Sequence, residues 1–181
     1  MDAPFAAELR RLVDAVEGPP LCTLATLQAD GAPAARTVVV RGVNDDGSVL
    51  ACSDARSEKN HQLHADPRAS ACFWFEPQRT QFRLRGSVTI LPHDDDESAR
   101  VWRSMSDKGR ALFAWPQPKA AKEDDDQFAA ELAEAAGPPA NFEVLRLVPA
   151  ACDRLVLKGV PHRRTLWLRE GEHWRDVEVN P

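Results

Sequence analysis

Between Arg36 and Gly86 the chain repeatedly sets basic and hydroxyl side chains at the ends of short apolar runs. Arg36 and Arg41 bracket Thr37-Val38-Val39-Val40, and Cys52-Ser53 leads to Ser57-Glu58-Lys59. Asp66-Pro67-Arg68 follows, and Thr80-Gln81-Phe82-Arg83-Leu84-Arg85 precedes Gly86. Charged donors of this kind hold phosphate groups, and an apolar sheet face accommodates a ring. The combination suits a flat cofactor that carries a phosphate.

Period-two alternation puts Arg36, Val38 and Val40 on one strand face and Thr37, Val39 and Arg41 on the other. Arginines at opposite ends and faces can flank a ligand lying across the strand edge, or simply guard the strand ends against aggregation. Ser53 and Ser57-Glu58-Lys59 fall where a strand gives way to a helix start, whose free N–H groups together with Lys59 form an anion site. Gln81, Arg83 and Arg85 share one face. The Gln81 amide both donates and accepts, which suits the edge of a flavin ring, whereas Arg83 and Arg85 read as an exposed polar face. His61 and His64, three apart on a helix, lack a third metal ligand, and Cys52 has no activating base nearby, so neither a metal nor a thiol nucleophile is expected. No P-loop, GxGxxG or GxSxG motif occurs.

These side chains need a sheet to position them, and turn signals predict one. Phe5, Leu9, Leu12, Val13 and Val16 mark a helix face that ends at Gly18-Pro19-Pro20. Strands are predicted over 21–27, 34–43, 49–53, 69–76 and 81–91, with a short helix over 58–65 capped by Ser57. Hairpin joints make the sheet antiparallel and prone to close into a barrel. An acidic helix start at Asp94–Glu97 precedes an apolar face of Val101, Trp102 and Met105. The alanine-rich stretch 124–136 predicts a helix, and 117–126 the most mobile loop. Strands over 142–148, 155–157, 165–168 and 174–179 complete the sheet.

The 181 residues, 43% hydrophobic and 28% charged, are expected to form one globular domain spanning 1–181. A net charge of −5 disfavours nucleic acid as a partner. Four scattered cysteines argue against a disulfide scaffold. No signal segment or membrane span is expected, which places the chain in the cytoplasm.

The ordered set of Arg36 to Arg41, Cys52-Ser53, Ser57-Glu58-Lys59, Asp66-Pro67-Arg68, Thr80-Gln81 with Gly86, and later His162-Arg163-Arg164, Trp174 and Pro181 resembles the pyridoxamine 5′-phosphate oxidase-like family of FMN-binding split barrels. The resemblance implies a mainly β (α+β) split barrel of antiparallel strands with several flanking helices, acting as a homodimer with FMN at the interface. It implies that Arg36, Ser53, Ser57 and Lys59 serve the FMN phosphate, with Thr37, Val38 and Val39 along the cofactor. Gln81 would contact the ring, and Arg164 its pyrimidine side, where a positive charge stabilises reduced flavin. A small-molecule substrate would lie among Arg41, Trp102 and His162.

Departures from the family pattern fall mainly on the substrate side. Glu58 replaces an arginine, Arg41 a lysine, and Val160-Pro161-His162 an Arg-x-His pair; the chain contains no tyrosine, and Trp102 stands roughly where the family's substrate tyrosine would be. Losing two charge-assisted hydrogen bonds costs about 3–6 kcal/mol. The leading expectation is an FMN-dependent oxidoreductase of unknown substrate. The alternatives are a genuine pyridoxamine 5′-phosphate oxidase with a clamp rebuilt from Arg41 and Arg110 or Arg163, and a non-catalytic flavin-binding protein.

Overall fold

The computed structural model of the chain describes residues 1–123 and 127–181. Helix α1 (Ala6–Asp14) leads into β1 (Leu21–Leu27), β2 (Pro33–Val43) and β3 (Val49–Asp54). After α2 (Glu58–Ala65) come β4 (Arg68–Phe75) and β5 (Thr80–Leu91), then helices α3 (Asp96–Ser104) and α4 (Asp107–Ala111). The long strand β6 (Phe142–Val156) and the hairpin of β7 (Arg163–Glu170) and β8 (His173–Val179) end the chain. The strand order is β3-β2-β1-β4-β5-β6-β7-β8, antiparallel throughout, and β3 also pairs with β6. That extra pairing closes the first six strands into a barrel, as the hairpin signals predict, while β7 and β8 extend outward from β6. Among the described residues no helix is long and apolar enough to cross a membrane.

Alternation along the strands fills the barrel. Ala69, Ala71, Phe73 and Phe75 of β4 and Phe82 and Leu84 of β5 point inward, where they meet Val38 and Val40 of β2. Helix α1 turns Leu9, Leu12 and Val13 toward this core, and the Phe5 ring before it packs 5.7 Å from Trp167 and 5.2 Å from Trp174. A second core gathers Leu50, Val101, Trp102, Met105, Phe113, Phe142 and Val144. Its three large rings meet edge-on, with centroids 4.9 Å apart for Phe113 and Phe142 and 5.0 Å for Trp102 and Phe142. Each such side chain contributes about 1.5–3 kcal/mol by leaving water. Strand β3 lies between the two cores, with Val49 and Ala51 in the first and Leu50 in the second.

Two predicted elements differ in the structure. Strand β6 runs unbroken where two strands were expected, because a bulge accommodates its proline. Arg85 pairs with Ala151 and Gly86 with Pro149, so Ala150 is the extra residue of a bulge, a place where a strand tolerates a proline. The helix expected over 124–136 begins outside the described residues; from 127 to 133 the chain is not helical, and only a 3₁₀ turn at Glu134–Ala136 remains. Its backbone groups are engaged elsewhere. Trp115 Nε1 donates to the Ala129 carbonyl, Arg110 Nε to that of Leu132 and Trp102 Nε1 to that of Glu134. These tertiary bonds outweigh alanine's helical preference.

At the β6 bulge a Cβ on Gly86 would stand 2.0 Å from the Val148 carbonyl oxygen, a backbone atom with little freedom to retreat. Gly86→Ala is therefore expected to destabilise the fold by about 1–3 kcal/mol. Urea unfolding would show this, and an unchanged midpoint would reject the close-approach account.

Candidate functional site

A cleft of about 600 Å³ opens between strands β2 and β3 of the barrel and the segment after α4, a size suited to a small ligand. Arg36, Thr37, Val38, Val39 and Arg41 of β2 line it, with Ser53 from the end of β3 and Lys59 from the first turn of α2. Seven residues expected to touch cofactor or substrate thus share one cavity. The opposite wall carries Met105, Gly109, Leu112, Phe113, Trp115, Lys119 and Phe128. The sequence marks 112–118 only as an irregular connection, and nothing local signals that this wall faces β2.

Arg36 is locked in place. Its Nη1 donates to Thr26 Oγ1 at 2.6 Å and to the Leu24 carbonyl at 3.3 Å, and its Nη2 donates to Gln62 Oε1 at 2.9 Å. Thr26 and Gln62, themselves joined at 2.6 Å, are supports that only the tertiary structure reveals. Lys59 Nζ donates to Ser57 Oγ at 2.9 Å, so Ser57 orients the lysine and makes no side-chain cap on α2. The buried Ser53 hydroxyl donates to Asn60, whose amide in turn donates to Glu143.

Charge in the cleft is unevenly settled. Asp54 is paired with Arg56 at 2.6 Å and accepts from Asn141 at 2.9 Å, and Glu58 pairs with Lys119. Glu58 still attracts Arg36, but burial outweighs that attraction. Desolvation, and then repulsion from Arg36, hold the Lys59 pKa below its ordinary 10.5; desolvation likewise lowers that of Arg36. Two desolvated cations at one end of a cleft form a site for a phosphate.

The remaining expected site residues lie elsewhere. Gln81 stands on the outer face of β5, paired across the ladder with Trp74 and Leu155. Arg164 of β7 binds Asp153, with Nε 3.0 Å from Oδ1 and Nη2 2.7 Å from Oδ2, and both residues line a second cleft of about 450 Å³ that also holds Arg83 and Arg85. His162 is exposed just before β7. Trp102, expected on the substrate side, is only 1% exposed within the second core. Its place on the buried face of α3, opposite Phe142, accounts for the difference. Arg110 is likewise committed, donating to the carbonyls of Trp102, Met105 and Leu132 and pairing with Asp107. Burial pushes the Cys22 thiol up to about 12 and Cys152 well above its ordinary value, which leaves both inert.

A six-stranded antiparallel barrel with two added strands and a cationic cleft at its edge defines the class of FMN-binding split barrels. The family model described as pyridoxamine 5′-phosphate oxidase, FMN-binding domain, matches residues 2–92. A pyridoxamine 5′-phosphate oxidase-related, FMN-binding protein from Nostoc punctiforme is 30% identical, with a TM-score of 0.87 over 99% of this chain and 98% of that one. The chain therefore belongs to the pyridoxamine 5′-phosphate oxidase FMN-binding family, and its cofactor is FMN. A pyridoxine/pyridoxamine 5′-phosphate oxidase from Thermosynechococcus vestitus is 28% identical across 94% of this chain and 85% of its own length. PhzG from Burkholderia lata shares the fold at 21% identity and a TM-score of 0.80, covering all of this chain and 94% of that one.

The depressed pKa of Lys59 links two properties with opposite trends. A phosphate favours charged Lys59, so FMN affinity is expected to be highest at lower pH and to fall as pH rises through the lysine's lowered pKa. In the flavin-free protein the unfolded chain holds that proton more tightly, so stability rises with pH between the lowered value and 10.5. FMN titrations and thermal melts across the alkaline range would show both slopes, and Lys59→Met should flatten them.

Proposed function

We propose that the chain is an FMN-dependent oxidoreductase working as a homodimer, with a small-molecule substrate bound beside the flavin. The observation that carries this reading is the pair Arg36 and Lys59 at one end of the cleft, where neither has an ion pair of its own and burial outweighs the pull of Glu58 and Asp54, each of which is paired with another cation. When bound, FMN supplies a ring that takes up a hydride equivalent and passes the electrons to an acceptor such as oxygen. Arg36 and Lys59 hold the phosphate, with Ser57 steadying the lysine and Ser53 closing the same end. Thr37, Val38 and Val39 provide the strand along which the cofactor lies.

Gln81, His162 and Arg164 sit outside the cleft of their own chain. In this reading they belong to the site of a second copy, where Gln81 and Arg164 address the ring and His162 joins Arg41 on the substrate side. Asp153, bound to both Arg83 and Arg164, holds that arginine in place.

A genuine pyridoxamine 5′-phosphate oxidase is the second reading, favoured by the likeness to relatives of that name. Against the version of it that uses Arg110 stands that residue's engaged guanidinium, which leaves the exposed Arg163 as the other candidate for a rebuilt clamp. Hydrogen peroxide formation from pyridoxamine 5′-phosphate at a rate typical of enzymes would favour this second reading.

Replacing Arg36 and Lys59 together should weaken FMN binding by about a hundredfold to ten-thousandfold. Retention through desalting at the wild-type level would reject the phosphate assignment. Co-expressing an Arg36→Ala/Lys59→Ala chain with a Gln81→Ala/Arg164→Ala chain should restore flavin to mixed dimers formed from two deficient parents. Mixed dimers that remain colourless would reject the shared site.

A further inference from the structure

At the end of β2 away from Arg36 the cleft changes character. Val40 pairs with Ala51 and Gly42 with Leu50, so Arg41 is the extra residue of a bulge, a device that re-aims a side chain. Five residues of strand separate it from Arg36 by about 16 Å. Among the described residues its buried Nε has no hydrogen-bond partner and no carboxylate pairs with it. Part of the facing wall carries no donor for an anion. Met105, Leu112 and Phe113 are apolar, and a Cβ built on Gly109 would lie 3.9 Å from Arg41 Nη2, so this near neighbour has no side chain to donate.

The other cations of the cleft are committed to different places. Lys119 is bound to Glu58, Lys122 lies 6.0 Å from the centre of the Phe128 ring, and Arg36 and Lys59 occupy the far end. Among the described residues no second cation is hydrogen-bonded or paired alongside Arg41. A guanidinium fork satisfies both oxygens of a carboxylate through two parallel hydrogen bonds. A phosphate monoester brings three oxygens and nearly two charges, and its remaining oxygen would face methionine and leucine unpaired. Trp115 and Phe128, whose rings meet edge-on at 5.4 Å, add a flat apolar surface for the rest of the molecule.

We propose that the substrate is a flat, largely apolar monocarboxylate, and that Arg41, set apart by its bulge and by the bare wall of Met105 and Gly109, determines that specificity. The assignment rests on the FMN reading above and names the substrate class for the same site.

The test uses the FMN-loaded protein and three probes of one shape: naphthoate, its neutral amide and naphthyl phosphate, each titrated against the flavin absorption spectrum. Naphthoate should bind at least about tenfold more tightly than either of the others. Arg41→Met should lose about tenfold to hundredfold toward naphthoate and leave the amide unchanged, with Arg41→Lys in between and FMN affinity the same in all. Gly109→Ser, which places a hydroxyl beside Arg41, should raise naphthyl phosphate affinity several-fold. Naphthyl phosphate binding as tightly as naphthoate to the unaltered protein, or Arg41→Met binding naphthoate normally, would overturn the proposal. Should the protein fail to retain FMN, the cofactor reading falls by itself. The same titrations on the flavin-free chain, read by tryptophan fluorescence with Trp115 in the cleft wall, would then decide the role of Arg41 separately.

Discussion

Strand β3 has hydrogen-bonded neighbours on both edges and hydrophobic cores on both faces, and the rest of the molecule depends on that position. Its ladder with β6 turns a sheet into a barrel, so no open edge is left between the first strand in spatial order and the sixth. Its two faces join the barrel interior to the layer formed by α3 and the Phe113 turn. Where β3 ends, at Ser53 and Asp54, the chain must leave the sheet at a fixed point, and α2 begins a few residues later. The location of Lys59 is thus a consequence of barrel closure.

The same rigidity explains how cations are kept in a partly dry cleft. Arg36 is held by Thr26 and Gln62, two buried polar residues that are useful only because they satisfy one another and the arginine together. The nearby carboxylates Asp54 and Glu58 are each paired with a cation of their own, Arg56 and Lys119. Leaving Asp54 or Glu58 unpaired there would offset more of the positive charge of Arg36 and Lys59.

Much of this was legible from residue types. The alternation of β4 and β5, the hairpin turns and the Ser57-Glu58-Lys59 helix start belong to local pattern, and the structure places the first five barrel strands where that pattern puts them. Arg36, Ser53 and Lys59 come together because closure brings neighbouring strand ends side by side. Trp102 is buried in the second core because the apolar face of α3 has a core to fill, an orientation that sequence position alone does not reveal. The alanine-rich stretch before Gly137 read as a helix because propensity is local, whereas Trp115, Arg110 and Trp102 reach its carbonyls from distant parts of the chain. The wall of Met105, Gly109 and Leu112 had no signature at all, since it is defined by the donors it lacks.

The bulge at Arg41 has a consequence for how such a site can change over evolutionary time. Removing that one residue would leave Val40 opposite Ala51 and Gly42 opposite Leu50, so the pairing on either side would continue as a regular ladder. Val38, Val40 and Val43 would keep their inward orientation. The barrel therefore tolerates the insertion as an almost independent appendage of β2. A lineage could gain, lose or exchange the side chain at this position through a single-codon length change, while Arg36 at the other end of the strand stayed under separate selection.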